Sequence, residues 1–260
     1  MSDVPVSTTP DADDFRALAQ SSPWLFTTLH FTHANYSRGG VETEPVEAWL
    51  DRASGRVTVR GVDGVDVAEG VPYGGSPAAL HAVAEGDSCE SPSDADQLGP
   101  TGPVRRPDGL VAERPNGWHF EHGDPMWRDY QWTAMLDPLE LHHGVQIDDV
   151  AATTRGGRET WSATCRPLMG AGEDWDGGYD PRCGCCPLLD STASRTLEYG
   201  ADDPLTLDTE LPTAYLVHLD VQTAVVVEVR ALDGRGGLVL RNDIDAVDQP
   251  LDAPQPRRRR

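Results

Sequence analysis

The chain has 260 residues, of which 43 are Asp or Glu and 21 are Arg with no Lys, so its formal net charge is −22. A surface this acidic repels nucleic acid, anionic lipid and polyanionic substrates. The net charge therefore argues against a general DNA-binding or membrane-surface role. The length suffices for one large β-rich domain, and no linker divides the chain.

The N-terminal segment MSDVPVSTTPDADD has neither a basic region nor an apolar region of the kind found in secretory signals. No stretch approaches the roughly 18 to 20 apolar residues that span a bilayer. The sequence therefore predicts a cytoplasmic protein without membrane insertion. In that reducing compartment its five cysteines indicate metal binding or free thiols, not a disulfide framework.

The first half of the chain predicts one short helix followed by strands. Residues 1–10 are expected to be disordered, and Asp11 to Asp14 offer N-caps for a helix containing Phe15 and Leu18. Residues 24–36 are aromatic and Thr-rich and predict a long strand, with a bulge where the apolar residues change face. Three further strands are predicted as a meander, at residues 46–50, 55–60 and 65–71.

The second half predicts more antiparallel strands around one irregular excursion. A short helix at residues 133–142 is expected to end at Gly144. The predicted strands are residues 145–154, 159–166, 214–220, 224–232 and 237–244. Short connections between them favour an antiparallel sheet in a single domain at residues 11–252. The remaining segments are a loop insertion at 85–117, a Cys-rich loop at 169–190 and a basic tail at 253–260.

Three segments carry a resemblance to a known superfamily: VEAWLDRASGRVTVRGVDG, GGRETWSATCRP and AYLVHLDVQTAVVVEVRALDG. In this order they resemble the LolA-like superfamily, which includes lipoprotein carriers and the sensor domain of an anti-sigma-factor regulator. Ala224 stands where a Gly is usual in its last hairpin. The resemblance implies an α+β, mainly antiparallel fold: a curved incomplete barrel with a few short helices. It also implies a concave face that could hold an apolar ligand.

The run GYDPRCGCCPLL resembles a segment of actinobacterial proteins that carry no known activity. The lack of Lys and the abundance of Ala, Gly, Pro, Asp and Val indicate a GC-rich genome, in agreement with that kinship.

The most unusual local feature is the C-x-C-C cluster formed by Cys183, Cys185 and Cys186. Three thiols within four residues can place soft donors around one ion, and structural zinc is favoured over catalytic zinc because no ordered acid or base accompanies them. A fourth ligand must come from elsewhere in the chain. The candidates are Cys165, Cys89, His119 and His122. The alternative is a thiol-rich loop packed on the sheet, with a Cys183–Cys185 or Cys185–Cys186 disulfide under oxidation.

The sequence contains no G-x-x-x-x-G-K-[ST], G-x-G-x-x-G, G-x-S-x-G or H-E-x-x-H motif, so it favours a non-enzymatic role. The leading hypothesis is a binding or regulatory module that holds an apolar ligand or a protein partner on a curved sheet. The alternative is a zinc-binding protein that uses the C-x-C-C cluster. A third hypothesis is a structural component whose acidic surface docks onto a basic protein partner.

Overall fold

A computed structural model describes residues 9–36, 42–70, 102–115 and 124–256. Nine strands form one antiparallel sheet in the order β4-β3-β2-β1-β11-β10-β9-β8-β7. Their bounds are β1 Thr28–Asn35, β2 Val46–Asp51, β3 Arg56–Gly61, β4 Gly64–Glu69, β7 Val145–Arg155, β8 Arg158–Pro167, β9 Tyr215–Asp220, β10 Val226–Ala231 and β11 Gly237–Val247. The two edge strands, β4 and β7, do not pair with each other, so the sheet stays open.

Three short helices and a small hairpin complete the described part of the chain. Their bounds are α1 Ala12–Ala19, α2 Tyr130–Leu136, α3 Thr192–Tyr199, β5 Val104–Arg105 and β6 Val111–Glu113. Single 3₁₀ turns occupy Ser22–Trp24 and Leu139–Leu141. None of these helices is long and apolar enough to cross a membrane. The fold class predicted from the sequence, a mainly antiparallel open half-barrel with few short helices, is confirmed.

Local sequence explains where the first helix begins. The Asp11 carboxylate accepts hydrogen bonds from the backbone N–H groups of Asp13 and Asp14, and the Asp14 side chain accepts one from the Asp11 N–H. This reciprocal cap satisfies donors that the first helical turn would otherwise leave unpaired. Phe15 and Leu18 are then fully buried against the sheet. The predicted opening helix is therefore confirmed.

The long strand predicted at residues 24–36 is wrong in its first part. Trp24 ends the 3₁₀ turn Ser22–Trp24, which contains Pro23, and β1 begins only at Thr28. The change of face in the sequence comes from this turn. A separate bulge lies further along, between His30 and Phe31, where the register with β11 shifts.

The predicted loop insertion at 85–117 and the tail at 253–260 fall partly within the described residues. In 102–115 the chain forms the β5–β6 hairpin, and Val111 is fully buried beside α1. Ser21 Oγ accepts a hydrogen bond from the Val111 N–H at 2.8 Å, and Gln20 donates one to the Val111 carbonyl at 2.7 Å. The N-terminal residues 1–8 and Arg257 to Arg260 lie outside the described residues.

The helix predicted at 133–142 is shorter than expected because Pro138 interrupts it after Leu136.

One face of the sheet carries the core. Side chains that alternate along β1, β2 and β9 point inward, among them Leu29, Phe31, Leu50, Val217 and Leu219, and all five are fully buried. In the same buried cluster, α1 lies against β7 and β8, and α2 lies against β10. The face that the resemblance predicts as a ligand site is therefore occupied in its described part by the chain's own side chains.

A buried ion pair joins the sheet to the layer above it. Arg52, which follows β2, donates to both carboxylate oxygens of Asp124 at 2.8 and 2.7 Å. It also donates to the Ser22 and Leu136 carbonyls. The side chains of Arg52 and Asp124 are 3 % and 0 % exposed.

We expect Asp124→Asn to lower the free energy of unfolding by about 3 to 5 kcal/mol, because it leaves the Arg52 charge buried without its carboxylate. Urea denaturation measures this change. The control is Asp13→Asn. The Asp13 carboxylate is 89 % exposed in its pair with Arg16, so its loss should lower the free energy of unfolding by less than about 0.5 kcal/mol. Equal effects of the two substitutions would show that the Arg52 pair is not a structural anchor.

Candidate functional site

The structure brings the three clustered cysteines together. The Sγ atoms of Cys183, Cys185 and Cys186 all lie within 4.8 Å of one another. Cys183 Sγ is 2.7 Å from Cys185 Sγ, and Cys185 Sγ is 3.8 Å from Cys186 Sγ. All three are free thiols; Cys185 is exposed and the other two are half-buried. The cluster is therefore compact and open to solvent.

The loop that carries the cysteines begins at Tyr179, whose hydroxyl forms buried hydrogen bonds. The hydroxyl of Tyr179, which is fully buried, donates to Glu140 Oε2 and accepts from the Leu189 N–H at 3.2 Å. Leu188 and Leu189 at the far end of the loop are also fully buried. Both ends of the loop thus enter the core, and the cysteines lie on the turn between them.

A buried carboxylate holds the middle of the loop. Asp137, which follows α2, accepts hydrogen bonds from Arg182 at 2.6 Å and from Arg114 at 2.5 and 3.1 Å. Burial alone would raise the pKa of Asp137, but the two guanidinium groups outweigh it and hold that pKa below its usual range. Arg182 directly precedes Cys183, so this ion pair fixes where the thiol cluster begins.

A second helix supports the loop from the other side. α3 begins with a capping box formed by Ser191 and Ser194, and Arg195 donates to both oxygens of the Asp190 carboxylate at 2.7 Å. Gly184 lies directly on this helix: a Cβ at Gly184 would come within 2.6 Å of Glu198 Cβ and 2.8 Å of the Ser194 carbonyl oxygen. The C-x-C spacing therefore needs glycine at its centre for the loop to contact α3.

The three thiols differ in acidity. Burial raises the pKa of Cys183, but hydrogen bonds from Cys185 and Cys186 outweigh it and leave that pKa below its usual value. Hydrogen bonding to Cys183 raises the pKa of Cys185, and burial raises the pKa of Cys186 to about 12. Cys183 is thus the thiol of the three that most readily ionises.

The other predicted ligands do not join the cluster in the described residues. Cys165 lies on β8, is fully buried in the core, and has its pKa raised to about 12 by burial. His119, His122 and Cys89 lie outside the described residues. Glu198 and Asp137 could not be found from the sequence, because only the packing of α2 and α3 brings them to the cysteine loop. Arg182 directly precedes Cys183, but its pairing with Asp137 also depends on that packing.

An open cleft lies elsewhere, at one end of the sheet. Its empty space, part of which is open solvent, measures about 570 Å³, and its lining combines apolar side chains with Asp208 and Arg235. Its apolar residues are Leu211, Pro212, Tyr215, Ala231, Leu238 and Val239. The cleft is thus partly apolar, and it borders the packed core at Tyr215 and Ala231.

Comparison with known proteins adds two solved structures. No family model and no curated protein matches the chain. A crystal structure of MucB aligns with a TM-score of 0.39 and 17 % identity, covering 94 % of this chain and 60 % of that one. The Pseudomonas aeruginosa MucA/MucB complex aligns with a TM-score of 0.38 and 14 % identity, covering 94 % and 59 %. This chain thus covers about 60 % of the full length of each of the two matched chains. At these TM-scores the likeness says nothing about function, which must be argued from the residues themselves.

The buried Glu140 makes the base of the cysteine loop sensitive to pH. Burial raises the pKa of Glu140 from 4.5 to about 7. Between these two pH values the folded chain holds a proton on Glu140 that the unfolded chain releases. Glu140 therefore makes its full contribution to the free energy of unfolding below about pH 4.5. This contribution decreases as the pH rises from 4.5 and is lost above about pH 7.

We expect wild type to lose about 3 kcal/mol of stability relative to Glu140→Gln between pH 4.5 and 7, since the amide does not titrate. Denaturant titrations of both proteins across this range measure the difference. A constant difference between wild type and variant would contradict a raised pKa at Glu140.

Proposed function

We propose that this chain is a non-enzymatic metal-binding protein that holds one thiophilic ion, zinc being the best match, at Cys183, Cys185 and Cys186. The observation that supports this proposal is the convergence of three free Sγ atoms within 4.8 Å on one anchored loop. Thiolates are the preferred ligands of Zn²⁺ and Cu⁺ in proteins.

The distances between the sulfurs agree with such an ion after a small adjustment. Zn–S bonds of about 2.3 Å in a tetrahedral site separate two sulfurs by about 3.8 Å. Cys185 and Cys186 are already 3.8 Å apart. Cys183 and Cys185, at 2.7 Å, must separate by roughly 1 Å, which rotation of the exposed Cys185 side chain supplies.

The charge of the surroundings favours a cation. The chain carries a net charge of −22, and such a field raises the local concentration of cations at its surface. Metal binding also requires reduced thiols, which fits the cytoplasmic location and actinobacterial kinship expected from the sequence. These two expectations stay predictions.

The other functions expected from the sequence find less support. Carriage of an apolar ligand on the concave face stays a prediction, because side chains of the core occupy the described part of that face. The partly apolar cleft near Tyr215 offers such a ligand another place. Binding of a protein partner, including a basic one, stays a prediction as well.

We expect protein purified without chelator under reducing conditions to contain about one metal ion per chain, with the three clustered thiols protected from alkylation. Elemental mass spectrometry and thiol titration measure both quantities. Replacement of Cys183, Cys185 and Cys186 by Ser should abolish the metal.

The matched control is Cys165→Ala, which removes a buried thiol outside the cluster and should leave the metal content unchanged. A metal-free wild type with freely titrating thiols would overturn the proposal. Retention of the metal by the triple Ser variant would do the same.

A further inference from the structure

Three thiols leave a tetrahedral ion one position short. In structural zinc sites the protein fills all four positions, whereas catalytic sites leave the fourth to water. The identity of the fourth ligand therefore determines whether this site is closed or open to chemistry. Among the described residues, a protein ligand for that position has to come from a residue packed against the cysteine loop.

Glu198 is placed beside the loop by the packing of α3. A Cβ at Gly184 would lie 2.6 Å from Glu198 Cβ and 2.9 Å from Glu198 Oε2. Since Gly184 separates Cys183 from Cys185, the carboxylate lies beside the backbone between two of the thiols. The negative charge of Glu198 also acts on the Cys185 thiol.

Helix α3 keeps this carboxylate in place. Its first turn is fixed by the capping box of Ser191 and Ser194, and its second turn by the ion pair of Arg195 with Asp190. Glu198 follows in the last turn, and no ion pair with a described residue occupies its carboxylate. The Glu198 oxygens are not among the ligand atoms that lie within 4.8 Å of one another at the thiols, so binding of the ion requires a change of the Glu198 side-chain rotamer.

We infer that Glu198 supplies the fourth ligand, so that the loop and α3 together form a Cys₃Glu site selective for Zn²⁺. This inference rests on the proposed metal-binding function. Zinc accepts carboxylate oxygen at about 2.0 to 2.2 Å alongside thiolates, whereas Cu⁺ is selected by soft sulfur ligands. With Glu198 bound, no position remains for water, and the site is structural.

The test compares Zn²⁺ and Cu⁺ affinities of the full chain, measured by competition with chromophoric chelators under reducing conditions. In Glu198→Gln we expect Zn²⁺ affinity to fall about 10- to 100-fold, comparable to the loss of other supporting groups at zinc sites. Cu⁺ affinity should change less than about twofold, because three thiolates suffice for it. The matched control is Glu159→Gln, an exposed acid on β8, which should leave both affinities unchanged.

The outcomes separate this inference from the proposed function. If wild type binds Zn²⁺ and Glu198→Gln binds it equally well, Glu198 is not a ligand, but the thiol site stands. An equal loss of Zn²⁺ and Cu⁺ affinity would mean that Glu198 only supports the loop, which also overturns the inference. If wild type binds neither ion, the metal site itself is wrong.

Discussion

The buried carboxylate of Asp137 is the interaction on which the arrangement of the cysteine loop depends. It accepts hydrogen bonds from Arg114, which follows the β5–β6 hairpin, and from Arg182, which precedes the first clustered thiol. An unpaired carboxylate at 1 % exposure would be strongly unfavourable, so Asp137 requires these two cations. The same pairing that satisfies the charge therefore ties the hairpin, α2 and the thiol loop into one unit.

The open sheet serves as the platform for this unit. Its inner face is filled by aliphatic and aromatic side chains, and the helices that cover it hold the cysteine loop at the surface. A packed core resists deformation, so it can hold ligands on a loop near the geometry that a metal requires. In this protein the sheet positions the site and takes no direct part in it.

Much of the fold could be predicted because its signals are local. The cap at Asp11 and the hairpin turns after Arg155 and Asp220 each depend on neighbouring residues. The thiol cluster was also predictable, since its members are adjacent in sequence. Asp137, Arg182 and Glu198 were not, because their meeting depends on how separate segments pack. The strand predicted from residue 24 failed because Trp24 still belongs to the 3₁₀ turn Ser22–Trp24.

The central claim is that the Asp137 pair holds the thiols ready for a metal ion, and Arg182→Met tests it most directly. Arg56→Met is the control, because Arg56 is 43 % exposed in its pair with Glu69, at the β4 edge of the sheet, and does not contact Asp137. Competition titration with a zinc chelator should show about 10- to 100-fold weaker Zn²⁺ binding in Arg182→Met and little change in Arg56→Met. Equal affinities in wild type and Arg182→Met, with both proteins folded, would contradict the account.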